Sequence, residues 1–384
     1  LPLLHSYQQG DESVFVWTTF SADQVDLNFH SAKVFLRVLD VLLFSVSRGA
    51  RFIRLDAIAF IWKELGTSCM HLPQAHKIIQ LYRHFIQQVA PHVVIITETN
   101  VPHQENISYF GDGTNEAHMV YNFTLPPLLM HSLHQQDVRV LTEWARSLTL
   151  PSDQTCFFNF TASHDGVGVR PLQGIVSDSE ISTLADIARR HGGFVSMRDN
   201  GDGTQSPYEI NCNYFDFATL PSEPVDKRIQ RFLLTQSVML SMPGVPGIYY
   251  HSIVGSQNDR NGAIQSGINR RINREKLLYE QLAKELTDTD TIRHKVFHQF
   301  KSMLATRRNH IAFDPFGAAE YECQGSVFII KRIVEDETVF AVHNFSESPA
   351  AASILPSPVT DLITGEHLSG ATVQLQPFEF RWLK

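Results

Sequence analysis

Apolar positions along this chain follow two alternating periods. The stretch Ala32 to Ser47 carries apolar residues at helical spacing and leads into a short β-type run, Phe52-Ile-Arg-Leu-Asp56. From Gln74 to Val89 the apolar residues Ile78, Ile79, Leu81, Tyr82, Phe85 and Ile86 again recur at three- and four-residue intervals, which predicts a helix. The run Val93-Val-Ile-Ile-Thr97 stays apolar until its last residue, as in a strand buried on both faces. The same reading predicts strands at Met119 to Leu125, Cys156 to Thr161 and Gly247 to Tyr250, with helices at Pro127 to Gln136 and Asp226 to Met242. Strands and helices in strict succession predict a parallel α/β architecture. Near residue 311 the texture changes to short β segments separated by turn residues: Val327 to Arg332, Thr338 to Asn344, Ala352 to Leu355, Ala371 to Leu375 and Phe378 to Leu383. These predict a small antiparallel β domain over 311–384. The segment Val195 to Phe217 is rich in Gly and Asp without a clear period and is expected as a long loop, a feature that in compact domains is usually functional or disordered.

Composition narrows the classes. The chain has 384 residues, 43% hydrophobic and 19% charged, which is ordinary globular usage. A net charge of −8 lacks the basic footprint of a nucleic-acid binder, so none is expected as a partner. No apolar run reaches the length of a membrane span, and no membrane association is expected. The first residues, LPLLHSYQQGDESVF, have neither the basic nor the apolar region of a signal peptide, and no initiator Met. Cys69, Cys156, Cys212 and Cys323 are far apart and form no CxxC pair, so neither a zinc framework nor a disulfide scaffold is expected, and a reducing cytoplasm suits them. The sequons at Asn122 and Asn159 lie inside apolar, strand-like runs and are read as chance. The acidic pieces around Asp112 and Asp199 to Asp202 are too short for a calcium loop, and no metal or nucleotide motif is present.

Chemistry is suggested by acids placed where strands stop. Asp56 ends FIRLD, Glu98 ends VVIITE, and Asp165 ends FFNFTASHD. Taken singly, an acid after a strand more often caps the next helix. Three in series point to the C-terminal face of an α/β barrel, where active sites form and where the three acids are expected to converge. Arg54 and Asp56 are two apart, so in a strand they share a face, and the guanidinium would keep the carboxylate ionised and oriented, as a nucleophile requires.

The segments GARFIRLDAIAF, IITETN and FTASHDGVG resemble three conserved segments of the alpha-amylase superfamily of glycoside hydrolases. More narrowly, WTTFSADQVDLNF, LDAIAFIWKELGTSC, YNFTLPPLL, SHDGVGVRP, PGVPGIYY and RRINRE are similar to the sucrose phosphorylase group, which includes phosphorylases of glucosylglycerol and glucosylglycerate. These stretches run from residue 17 to residue 275. The resemblance implies a (β/α)8 TIM barrel of which this chain holds the C-terminal portion, about strands four to eight. It places the end of an inserted subdomain at 1–30, a partial catalytic barrel at 31–310 with a long acceptor-site loop at 195–217, and the β domain at 311–384. The family's first conserved segment and its first three barrel strands have no counterpart, so the chain is expected to be the C-terminal two-thirds of a larger enzyme.

By the same resemblance Asp56 is the nucleophile, Glu98 the general acid/base and Asp165 the transition-state stabiliser, with His164 beside it and Arg54 orienting the nucleophile. Retaining glycoside chemistry needs two carboxyl groups about 5–5.5 Å apart, and the acid must hold its proton, for which the apolar approach to Glu98 is favourable. No cofactor is implied; inorganic phosphate is the co-substrate that attacks the glucosyl ester to release α-glucose 1-phosphate. A phosphate anion needs cations, and the candidates are Arg270, Arg271 and Arg274 in INRRINRE. Tyr208 and Glu209 resemble the acceptor-site pair, with Glu where sucrose phosphorylase has Gln, which favours glucosylglycerate or glucosylglycerol over sucrose. A carboxylate beside an anionic glycerate is repulsive unless an arginine compensates it. Sucrose phosphorylase, an α-glucosidase or transglucosylase on the same fold, and an inactive truncated fragment remain as alternatives. The expected partners are a small glucoside and phosphate, with a homodimer left open.

Overall fold

The computed structural model describes residues 3–354 and 358–384 and divides into two compact units. The first comprises Leu1–Thr99, Gln104–Tyr121 and Leu150–Thr155. It opens with an antiparallel hairpin, β1 (Leu4–Gln9) and β2 (Glu12–Trp17). Helix α1 (Ala32–Ser47) and helix α2 (Pro73–Val89) flank a parallel ladder of β3 (Phe52–Leu55), β4 (Val94–Thr97) and β5 (Met119–Tyr121). Pro73 sits in the first turn of α2, where a missing N–H costs nothing. The apolar stripe of α2 meets α1 through Leu39, Ile78 and Tyr82, with the Phe35 ring stacked on Tyr82 at 5.0 Å. The ladder register pairs Arg54 with Ile96 and Leu55 with Thr97, so the residues that follow, Asp56 and Glu98, leave neighbouring strands at the same level.

The second unit comprises Asn100–His103, Asn122–Thr149 and Cys156–Lys384. Its parallel pair is β6 (Cys156–Phe160) with β10 (Val245–Gly247). Helices α3 (Leu125–Gln135) and α4 (Arg139–Ser147) precede this pair, and between its two strands the chain forms a three-stranded antiparallel sheet, β7 (Val167–Gly168), β9 (Gln205–Asn211) and β8 (Phe194–Asp199), and the helices α5 (Asp178–Arg190) and α6 (Val225–Ser241). Helix α5 starts from a complete capping box, Ser177 with Glu180. Helix α6 is buried nearly all round, which is why its sequence shows only a weak polar face. After α7 (Ile292–Asn309), four antiparallel strands run in the order β11 (Ala318–Gln324), β12 (Val327–Val334), β13 (Glu337–Asn344) and β16 (Phe380–Leu383). Strands β14 (Ala350–Ser353) and β15 (Thr372–Leu375) pair separately.

Several boundaries differ from the sequence expectation. The stretch expected as a loop at 195–217 is the hairpin β8–β9 followed by a short helix, Tyr214–Ala218. Two features hide it. Gly201 and Gly203 adopt positive φ at the tip, and Pro207, which cannot donate to a ladder, lies beside a bulge at Ser196/Met197. The strand expected at Met119 to Leu125 stops at Tyr121, because Leu125 begins α3 with prolines in its first turn. The strand expected at Gly247 to Tyr250 is Val245–Gly247, and Tyr250 opens a helical turn. Strand β11 was not expected from the pattern. The strand expected at Ala352 to Leu355 is Ala350–Ser353; Leu355 lies outside the described residues. Asn122 and Asn159 are buried and bond each other (Nδ2 to Oδ1, 2.9 Å), so neither sequon presents an acceptor in the folded chain. All four cysteines are unpaired. Among the described residues no helix is long and apolar enough to cross a membrane.

The β domain is joined to α6 by polar contacts inside an apolar core. Trp382 is fully buried, packs 4.7 Å from Phe313, and donates its Nε1–H to Ser237 Oγ at 2.9 Å. Arg332, also fully buried, donates to the carbonyls of Ser241, Asp314, Gly317 and Ala318. Truncating Trp382 to Ala leaves a large cavity and takes the indole donor from Ser237 Oγ, which keeps its contact with His343 Nε2 at 2.9 Å; a loss of about 3–5 kcal/mol is expected in urea unfolding.

Candidate active site

In the first unit the ladder register brings Arg54, Asp56 and Glu98 together. The Arg54 side chain leaves β3 on the face opposite buried Ile53 and Leu55. Its Nη1 lies 2.6 Å from Asp56 Oδ1, and its Nη2 3.8 Å from Glu98 Oε2. Glu98 Oε2 also accepts the Ala57 N–H at 3.0 Å. Ala57 holds a left-handed conformation, φ 46°, uncommon for a residue with a Cβ. That turn lets the chain after Asp56 aim an N–H back at the neighbouring carboxyl. Burial works against the Arg54 charge, but Glu98, Tyr121 and Asp56 outweigh it and raise its pKa. The Tyr121 ring lies 5.5 Å below the guanidinium, and its own pKa is raised by burial, with Arg54 opposing. The two carboxyls sit in unlike surroundings: the Asp56 side chain is 71% exposed and that of Glu98 13%.

In the second unit His164, Asp165, Glu209, Arg270 and Arg274 form one ionic cluster. Asp165 Oδ1 receives Arg270 Nη1 at 2.7 Å and Arg274 Nη2 at 3.2 Å. Its other oxygen faces His164 Nε2 at 3.6 Å. Glu209 takes Arg270 in a two-point contact, Nε to Oε1 at 3.0 Å and Nη2 to Oε2 at 2.6 Å. Burial of Arg270 opposes its charge, and Glu209, Asp165 and Tyr208 together raise its pKa. Tyr208 sits half-buried on β9, its carbonyl accepting from Val169 N–H at 3.2 Å. Two arginines and two carboxylates leave the cluster neutral. Arg271, the third cation of that segment, turns away and pairs with Asp259 at 3.0 Å.

Residues without an expected role shape this cluster. Asn273 Nδ2 donates to the carbonyls of Ser163 (2.9 Å) and Asp165 (2.7 Å), and Tyr249 OH donates to the Asn273 carbonyl at 2.9 Å. A Cβ on Gly166 would fall 2.6 Å from Glu209 Cγ and 2.7 Å from the Ile210 carbonyl, so only glycine allows β9 to run this close behind Asp165. Tyr121, Tyr249 and Asn273 lie within YNFT, PGIYY and RRINRE, but their roles depend on partners distant in sequence. Among the described residues no group of three or more His, Cys, Asp or Glu side chains is arranged to hold a metal.

The alpha-amylase catalytic-domain family matches residues 5–166. Glucosylglycerate phosphorylase of Escherichia coli (strain K12) is 45% identical over 100% of this chain and 69% of that protein. The chain belongs to the alpha-amylase family, in its sucrose phosphorylase-like group. Glucosylglycerate phosphorylase of Spirochaeta thermophila is 47% identical over 88% of the chain and 57% of that protein. The chain thus spans between 57% and 69% of the length of these relatives. Among solved structures, sucrose 6F-phosphate phosphorylase from Thermoanaerobacter thermosaccharolyticum superposes with a TM-score of 0.75 at 20% identity, covering 89% of this chain and 66% of that one. The fold is accordingly that of the family's barrel enzymes, with parallel strands and additional antiparallel sheets.

Within this family member, Asn273 is the structural support of the Ser163–Asp165 turn. Asn273→Ala strands two backbone carbonyls, and a loss of about 1–3 kcal/mol is expected in urea unfolding.

Proposed function

We propose that this chain serves a retaining α-glucoside phosphorylase whose substrate is glucosylglycerate. The observation that carries the reading is the 45% identity to a glucosylglycerate phosphorylase along the whole chain. The local chemistry supports it. Asp56 attacks the anomeric carbon and the bond to the glycerate oxygen breaks, while Glu98 delivers its proton to that oxygen. Phosphate then attacks the same carbon, the ester to Asp56 breaks, and α-glucose 1-phosphate leaves with its configuration retained. One Arg54 guanidinium touching both carboxyls supports the close spacing that this double displacement needs. The unlike burial of Asp56 and Glu98 supports a division into nucleophile and acid. Asp165, with His164 beside it, binds sugar hydroxyls as charge develops on the ring. Tyr208 and the β8–β9 hairpin face the acceptor. Arg270 and Arg274, half-exposed, are the cations offered to phosphate. In this reading β3, β4, β5, β6 and β10 are the fourth to eighth strands of the barrel, and the enzyme works in the cytoplasm, where unpaired cysteines persist.

The deciding experiment incubates the protein with glucosylglycerate, glucosylglycerol and sucrose, each with and without phosphate. Phosphate-dependent release of glucose 1-phosphate is expected, fastest from glucosylglycerate; free glucose at the same rate without phosphate would leave a hydrolase instead. Asp56→Asn is expected to lower kcat by about 10⁴-fold or more, since loss of a nucleophile removes the covalent route.

A further inference from the structure

Glu209 offers a carboxylate where hydroxyl binding is the simplest expectation, yet its geometry assigns it other work. It lies on β9, the central strand of its sheet, paired on one side with Gly168 of β7 and on the other with Ser196 of β8. Its side chain is 3% exposed, and Gly166 packs against its Cγ. Both of its oxygens are taken by a single guanidinium, that of Arg270. A two-point contact of this kind fixes the plane of the guanidinium as well as its position. With Nε and Nη2 held by Glu209, Nη1 is left pointing at Asp165 Oδ1. Arg274 holds the same oxygen from a second direction, anchored by its Nε on the His164 carbonyl at 2.5 Å.

We propose that Glu209 is a positioning residue that acts through Arg270 on Asp165, and so ties the hairpin on the acceptor side to the acid that meets the glucosyl ring. The inference rests on the phosphorylase reading for Asp165's role and names what sets it. Two consequences separate it from acceptor binding. Loss of the Glu209 charge should slow formation of the glucosyl-enzyme, a step that precedes any acceptor. It should also leave the affinity for glycerate largely unchanged.

The test uses the active enzyme with α-glucosyl fluoride, whose fluoride release, read as kcat/KM, reports glucosylation without phosphate or glycerate, beside glucose 1-phosphate with varied glycerate. Glu209→Gln keeps the shape but turns an amide N–H₂ toward the guanidinium. We expect kcat/KM for fluoride release to fall about 10- to 100-fold, the scale of a misplaced catalytic group, with KM for glycerate moving less than threefold. Glu209→Asp, which keeps the charge on a shorter arm, should recover part of that loss. Glu209→Gln combined with Arg270→Lys should cost little more than Arg270→Lys alone, because both break the same chain of contacts. An unchanged fluoride rate per folded enzyme with a raised KM for glycerate would overturn the proposal in favour of direct acceptor binding. An unchanged rate with only a lowered unfolding midpoint would overturn it in favour of a purely structural pair. A wild type that hydrolyses the fluoride but ignores phosphate would sink the phosphorylase reading while leaving the Glu209 comparison decisive.

Discussion

The parallel register between β3 and β4 is the constraint on which the candidate chemistry rests. Pairing Leu55 with Thr97 makes Asp56 and Glu98 the next residues out on adjacent strands, and the Glu98 N–H still bonds the Leu55 carbonyl at 3.1 Å. A slip of one residue would turn Arg54 into the core and bring Leu55 out, since side chains alternate along a strand. Ile53, Leu55 and Ile95, all buried on one face, oppose that slip with apolar area. Hydrophobic burial on the inner face thus fixes the level at which two carboxyls emerge. One arginine on the outer face then neutralises what would otherwise be a repulsive pair.

The cluster around Asp165 solves a related problem differently. There the chain buries a carboxylate, Glu209, which is costly unless it is paired and fully hydrogen-bonded. Arg270 supplies both oxygens with donors and passes its remaining nitrogen to Asp165. With Arg274 the charges balance, so the cluster does not act as a bare cationic patch. Removing one partner would leave another charge unpaired, which gives the set its rigidity. The glycine at 166 and the bulge after Ser196 are the backbone conditions for it, because they let three strands and the 269–273 turn approach one another.

Much of the fold was legible along the chain. Helix Ala32–Ser47 and the strands Phe52–Leu55, Val94–Thr97 and Cys156–Phe160 follow from apolar periodicity, because the helix turns a half-buried apolar stripe inward and the strands are largely buried; Asp56 and Glu98 come directly after their strands, and Asp165 lies in the loop beyond the third. The hairpin at 194–211 was not legible: its outer residues are polar, its tip is glycines, and a proline interrupts one strand. Its strands are stabilised by pairing with β7 and by the contact of Glu209 with Arg270, neither of which leaves a periodic trace. For the same reason Glu209 reads as an acceptor-facing or solvated acid and is found buried.

Sequence alone singled out the candidates for chemistry: carboxyls at or beyond strand ends, an arginine two residues before one of them, and a run of arginines near residue 270. Those features are local, so spacing and strand periodicity expose them. Tertiary structure decided how they are used. Arg54 serves two carboxyls, Arg271 leaves the group for Asp259, and Glu209 serves Arg270, because a buried ion accepts only the partners whose backbone brings donors within about 3 Å. Such distances are set by packing between segments up to 110 residues apart, as between Arg274 and His164, and nothing in the order of residues states them.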